Sequence, residues 1–484
     1  MNTISRHGVI WIGGHVPNLF RDECCKRHLL LFQGTEADIN NMAHRARCLV
    51  IQYRGNPDSF TLLFEEASKD ALNHGLTVVL VQSETVSRDE YYEVAAKLTT
   101  NSRDPVNRIR SFYQDWSGLA QYAASYQPGL GEDCSVRIEG IDADGETLIL
   151  LRRAFNGLDR IYLKQIQAGK SGARVWVAYP KGDGARKRPL PYLVKKHVIE
   201  KIQAERSNFE GFIRNAIPFD RRPDISESRC VEGSTNALLV QDFIDQAQPF
   251  IDVLKTANCD QLLSSLFNGA LRGCISNRRL ENDYLSKVFS NLKVLKWSND
   301  AWLYALHDVA EQAKKSNFST LSVRNVEFYA NALPRLDYYR STIHGDLHVG
   351  NIFVASGTSN VILIDFGCTT TGPTVADFAC LEVSLALHSD LDDQTISELY
   401  KYPLLTPEPQ VWEHTCWLKS AIRRIRLTAN EYEPLPKPYI FAVASFLLRY
   451  ASYADNGSLV HRALIFSLAA QLFQRLAEEV KTDE

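Results

Sequence analysis

No Cys-x-x-Cys pair occurs in the sequence, although it holds 10 cysteines, and only Cys24 and Cys25 are adjacent. Scattered cysteines argue against a zinc site or a disulfide framework, and a reducing cytoplasm is the compartment they fit. Long apolar runs are also lacking. The longest, such as residues 441–448, is too short to span a bilayer, and residues 1–8 lead into a strand-like segment with no cleavable apolar core. Neither sign of charge dominates: 54 Lys and Arg stand against 57 Asp and Glu, a net charge of −3. Nothing global therefore calls for nucleic acid or an anionic membrane as a partner. There is no internal repeat and no low-complexity tract. What is present is an ordinary globular composition, 45% hydrophobic and 23% charged, over 484 residues, enough for about three domains.

The first of these is read over residues 1–127. Apolar runs at 8–13, 28–32, 48–53 and 76–81 are separated by helical patterns, one of them over 59–73. Continuous apolar strands alternating with helices predict an α/β domain, a small parallel sheet covered on both faces. Its outline resembles a receiver domain of the two-component type, with a Rossmann-like sheet as the alternative. A receiver needs an acidic pair after its first strand and a phosphate-accepting Asp after its third. Here those places hold Gly13-Gly14-His15 and Arg54-Gly55-Asn56. The resemblance then implies a degenerate receiver that docks partners without being phosphorylated. Gly13-Gly14 lacks the third glycine of a dinucleotide fingerprint.

The densest chemistry lies late in the chain. His344-Gly345-Asp346-Leu347-His348-Val349-Gly350-Asn351 is followed, after a short strand-turn-strand, by Asp365-Phe366-Gly367. Phosphoryl transfer from ATP needs one carboxylate to orient and deprotonate the attacking hydroxyl. It also needs an Asn and a second carboxylate to hold magnesium on the phosphates. Those duties fall to Asp346, Asn351 and Asp365. The H-G-D-x-x-x-x-N spelling resembles the aminoglycoside phosphotransferase and choline kinase group of the protein-kinase-like fold, where protein kinases usually write H-R-D. The segment from Gly372 to Asp377 resembles that group's downstream G-D-P-x-x-D, and Asp377 would anchor the catalytic loop. Pro373 replaces the acidic residue after the glycine. His344 is expected to pack beneath the loop, and His348 either to stabilise it or to contact substrate or phosphate. Cys368 is either a small core residue or an alkylation-sensitive neighbour of the nucleotide.

That resemblance implies a bilobal α+β domain, with an amino-terminal lobe over 128–240 and a mainly helical lobe over 241–484. The first lobe is expected to open on a hairpin, with strands over 135–140 and 147–151 around a turn at 142–145. A glycine hairpin follows, in which Gly169, Ser171 and Gly172 would let backbone amides approach phosphates. Gly169-Lys170-Ser171 is not a Walker motif, because Lys164 stands where its first glycine should be and no helix follows. A strand ending at Lys195 would supply the phosphate-positioning lysine, with Lys196 as competitor. The next helix offers Glu200, Glu205 and Glu210 as its ion-pair partner, and Glu205 is best spaced. Residues 237–244 form the expected hinge, where the backbones of Asp242 and Ile244 would meet adenine. From there to Tyr339 the chain is expected to be mainly helical. The whole arrangement, including residues 151–155 (Leu-Arg-Arg-Ala-Phe) before the glycine loop, also resembles the ternary-complex-associated kinase-like domains of bacterial conflict systems.

The implied cofactors are ATP and Mg2+. The acceptor is a hydroxyl on a small molecule or a protein. A protein partner is expected through the amino-terminal domain, with no nucleic acid and no membrane. The alternative is a nucleotide-binding switch or scaffold.

Overall fold

The computed structural model describes residues 6–101, 108–166, 172–181, 190–243, 247–256, 258–388, 393–400 and 417–483. The chain forms two compact units. One is Met1–Arg206 with Asp224–Asp245, the other Ser207–Pro223 with Gln246–Glu484.

The first unit holds two sheets. The earlier is five-stranded and wholly parallel, in the order β2-β1-β3-β4-β5. Its strands are β1 (Gly8–Ile12), β2 (Leu30–Gly34), β3 (Ala46–Tyr53), β4 (Thr77–Gln82) and β5 (Ile109–Phe112). This is the flavodoxin-type order of doubly wound sheets. Every residue of β1, β3 and β4 is buried, because strand alternation feeds two cores at once. Ile10, Leu49 and Leu80 pack with Phe64 and Ala71 of helix Pro57–Asn73 and Val94 of helix Arg88–Asn101. Val9, Trp11 and Val50 pack with Phe20 of helix Asn18–Lys26 and Leu119 of helix Trp116–Ser125.

The second sheet is six-stranded, in the order β10-β11-β9-β8-β7-β6. It comprises β6 (Arg137–Glu139), β7 (Arg160–Ile166), β8 (Arg174–Lys181), β9 (Tyr192–Val198), β10 (Val231–Glu232) and β11 (Asn236–Asp242). The expected hairpin over 135–151 does not form. β6 pairs in parallel with β7, and Gly145–Ala154 is a helix. The apparent turn at 142–145 is a helix start: the Asp144 carboxylate accepts from Thr147 N–H at 2.7 Å, an N-cap bond. Thr147, Leu150, Leu151, Arg153 and Ala154 are the buried positions, and all but Arg153 follow a 3.6-residue period rather than a strand's. They cover the sheet above Ile161, Trp176, Val194 and Leu238.

The second unit is mainly helical, as expected, with short strands between its helices. It contains β12 (Gln248–Pro249), β13 (Arg279–Asp283), β14 (Leu336–Ile343), β15 (Ile352–Val354), β16 (Val361–Leu363) and β17 (Thr370–Pro373). These make two three-stranded antiparallel sheets, β12-β15-β16 and β13-β14-β17. Beneath them lie helices Val375–His388, Trp417–Tyr432, Pro436–Ala451 and Leu459–Asp483. Among the described residues no helix is long and apolar enough to cross a membrane. An α/β domain followed by a kinase-like order of sheet, helix and helical lobe is the fold class expected from the sequence.

Candidate active site

The loop from His344 to Asn351 joins β14 to β15, and its backbone is pinned from helix Val375–His388. Asp377 accepts from the N–H of His344 at 2.7 Å and of Gly345 at 2.9 Å, one bond to each oxygen. Burial raises the Asp377 pKa, and these two bonds and nearby His344 oppose that shift. Ser384, two turns further along the same helix, accepts from Val349 N–H at 3.2 Å. Gly345 has φ +78, and a Cβ there would lie 2.3 Å from the Cys368 carbonyl oxygen. Both observations require glycine.

Asp346 sits at the bend with its side chain one-quarter exposed. Asn351 is buried and turns its Nδ2 to the Asp346 carbonyl at 2.9 Å. Its Oδ1 is therefore the acceptor end left for a ligand. Asp365 is brought near by the β15–β16 pairing: Ile352 faces Leu363, and Ile364 N–H donates to the Asn351 carbonyl at 3.1 Å. Asp365 is half-buried, with φ +61, a left-handed conformation that Asp tolerates and that costs energy to hold. Phe366 behind it is buried, with its ring centroid 5.4 Å from His344 and 6.0 Å from Phe209. Asn208 Nδ2 donates to the Gly367 carbonyl at 3.0 Å.

The two histidines take distinct places. His344 Nε2–H donates to the Ile364 carbonyl at 3.0 Å, tying the loop to the strand before Asp365. His348 Nδ1 accepts from Gly350 N–H at 3.1 Å, so its proton lies on Nε2, 3.8 Å from Asp346 Oδ2. Burial lowers the His348 pKa, against the pull of Asp346, which keeps the ring neutral near pH 7. Cys368 is exposed.

In the first unit, Lys195 and Lys196 point to opposite faces of β9. Lys195 Nζ donates to Glu205 Oε2 at 2.8 Å, and both side chains are mostly buried. Glu205 lies on helix Ile199–Asn208. Lys196 turns into the core instead, bonded to Thr147 Oγ1 and 3.3 Å from Asp144. Glu210 is spent on an exposed pair with Arg214 at 2.6 Å, and Glu200 is exposed. At the end of β11 the Asp242 N–H already donates to the Asp224 carbonyl at 2.9 Å, so its carbonyl is the atom with capacity for a ligand. Gly172 has φ +76 and open space where a Cβ would lie. Gly169, Ser171 and Ile244 lie outside the described residues.

One residue at this site has no signal in the motifs. Arg449, on helix Pro436–Ala451, places Nη2 3.0 Å from Asp346 Oδ1. Only the folded chain brings the two together. Asn351 and Asp365 offer an amide oxygen and a carboxylate, the hard oxygen donors that suit Mg2+. Among the described residues no group of three His, Cys, Asp or Glu could hold a metal ion by itself; waters or phosphate oxygens would complete the shell of an ion held by Asn351 and Asp365.

Residues 271–403 match the family model described as ternary complex associated domain 9, in line with the branch that the whole arrangement resembles. No curated protein matches the sequence. Solved structures similar to this chain include the ethanolamine kinase of Plasmodium vivax. It is 12% identical over 81% of this chain and 95% of that one, with TM-score 0.36. An amicoumacin kinase in complex with AMP-PNP and Ca2+ is 11% identical over 66% and 88%, with TM-score 0.34. The choline kinase of Cryptosporidium parvum is 13% identical over 66% and 89%, with TM-score 0.32.

Proposed function

We propose that this protein is an ATP- and magnesium-dependent phosphotransferase that moves the γ-phosphate to a hydroxyl of a small molecule or a partner protein. The observation that carries the reading is the Asp346 loop. A carboxylate on a backbone fixed by Asp377 and Ser384, beside an Asn whose amide is already oriented, suits in-line transfer, where catalysis is mainly positioning and charge stabilisation. Asp346 would accept the proton of the acceptor hydroxyl as its oxygen bonds to phosphorus and the bond to ADP breaks. Asn351 and Asp365 would hold Mg2+, which when bound neutralises charge on the phosphates. In the first unit Lys195, steadied by Glu205, is assigned to the nucleotide's α- and β-phosphates. Asp242 and Ile244 are assigned to adenine, and Gly169, Ser171 and Gly172 to the phosphate loop. The protein would act in the cytoplasm.

The match to a ternary-complex-associated model supports a second reading, a nucleotide-binding switch that assembles with protein partners through the amino-terminal sheet. Following labelled γ-phosphate from Mg·ATP separates the two, with wild type and Asp346→Asn compared in buffer and in cell extract. Transfer to a metabolite or protein, lost by about 10²-fold or more in Asp346→Asn, is the expected result. Nucleotide binding with no Asp346-dependent transfer would favour the switch.

A further inference from the structure

We propose that Arg449 is a positioning residue for the phosphotransfer reaction: it grips one oxygen of the Asp346 carboxylate and leaves the other facing the acceptor hydroxyl. The inference rests on Asp346 being the base of the proposed transfer.

The geometry separates this arginine from a purely structural one. Arg426 in the same unit meets Glu382 in a fork, Nε to Oε2 at 3.0 Å and Nη2 to Oε1 at 2.7 Å, which spends both carboxylate oxygens. Tyr439 also binds Glu382. That is a buried pair in which both carboxylate oxygens carry hydrogen bonds. The nearest approach of Arg449 to Asp346 is an ion pair, Nη2 to Oδ1 at 3.0 Å. His348 Nε2 stands 3.8 Å from Oδ2, too far for a hydrogen bond. The carboxylate is thus oriented without being consumed.

Arg449 is itself fixed. Its Nε donates to the Tyr453 hydroxyl at 3.1 Å. Its guanidinium carbon lies 6.0 Å from the ring centroids of both Phe446 and Tyr453. The side chain is only 18% exposed and stands in the last turn of a helix, where a cation is favoured. Burial would lower the pKa of Arg449, but the Asp346 carboxylate and Tyr453 outweigh it and hold the group charged. The neighbouring residue, Tyr450, hydrogen-bonds Ser384, whose hydroxyl anchors Val349 in the catalytic loop. One helix end therefore holds both the backbone of the loop and its carboxylate.

The test compares wild type, Arg449→Lys and Arg449→Met in the full chain. It measures Asp346-dependent γ-phosphate transfer from Mg·ATP, to water or to the acceptor found in extract, together with binding of a fluorescent ATP analogue. For Arg449→Met the expected result is a fall in kcat of about 10²-fold, nucleotide affinity within about twofold, and partial rescue of kcat by millimolar guanidinium. Arg449→Lys should fall between, since an ammonium keeps the charge and loses the planar fork. A residue that merely supports the fold would not show guanidinium rescue with unchanged nucleotide binding. Should Arg449→Met fail to fold, Arg449→Lys decides. Wild-type kcat in the folded variants, with transfer still dependent on Asp346, overturns the positioning role alone. Absence of Asp346-dependent transfer in wild type overturns the phosphotransferase reading and this inference with it.

Discussion

Asp377 shows how much a single side chain can carry. Its two oxygens each accept one backbone N–H, the buried one of His344 and the partly buried one of Gly345. Asp377→Ala leaves both donors unpaired, at about 1–3 kcal/mol each, and frees the loop that orients Asp346. The expected outcome is a folded but destabilised protein whose Asp346-dependent transfer falls by about 10²-fold, since misplacement on the order of 1 Å costs that much. Asp377→Asn should lie between, because an amide offers one acceptor and turns its NH2 toward the other N–H. Thermal melting and the labelled-phosphate assay, run on both variants, check the order. Equal activity in wild type and Asp377→Ala would show that the loop needs no such anchor. Arg449 works at the same scale, one ion pair acting on one carboxylate.

At the scale of elements, the helix Gly145–Ala154 was hidden by its own start. Asp-Ala-Asp-Gly reads as a turn, and Asp144 does leave the helical path there, but as an N-cap. Two further signals were available: Glu146 in the first turn, and Arg152 with Arg153 in the last. Asp144→Ala should cost about 1 kcal/mol for the cap, plus whatever Lys196 loses when its partner 3.3 Å away is removed. Asp144→Asn should keep the cap and lose only the charge. Thermal melts of both variants, with Lys196→Met as the second arm of a double-mutant cycle, separate the two terms. The short strand β13 was hidden for a different reason. Only Glu281 and Asp283 are even half-buried, so there is no alternation strong enough to mark it, and its pairing with β14 is set by tertiary contact. The parallel strands β1, β3 and β4 were legible because burial on both faces writes continuous apolar runs. So was the loop around Asp346, where closely spaced polar residues have a chemical reason to be adjacent. Arg449 and Ser384 were not, because nothing in local sequence ties them to that loop.

At the largest scale, the two sheets of the first unit are joined by buried polar groups. Arg153 Nη1 donates to the carbonyls of Asn73 at 2.6 Å and Glu232 at 2.7 Å, and its Nε to that of Leu130 at 3.1 Å. Arg108 reaches the Gly233 carbonyl at 2.6 Å, and Ser234 N–H donates to Asn73 Oδ1 at 2.8 Å. Arg6 donates to the carbonyls of Ala43 and His74. His74 lies within this cationic junction, 3% exposed, with Nε2–H bonded to Asn40 Oδ1 at 2.9 Å. Burial, then the charges of Arg153 and Arg6, lowers its pKa from 6.5 to about 4. Between those values the unfolded chain binds the proton and the folded one does not, so stability rises with pH across that window. The contribution is fully present above pH 6.5, is lost as pH falls toward about 4, and amounts to ~3 kcal/mol at full expression. His74→Gln keeps an amide N–H for Asn40 but cannot take up a proton. Denaturant unfolding of both proteins from pH 7.5 to 4.5 should therefore give midpoints that diverge on acidification, with wild type falling faster than the variant. Parallel curves would mean that His74 is already protonated in the folded unit, with Glu132, 3.4 Å from Nδ1, neutralising it. The junction would then be an ion-paired seam in which that carboxylate offsets the arginines.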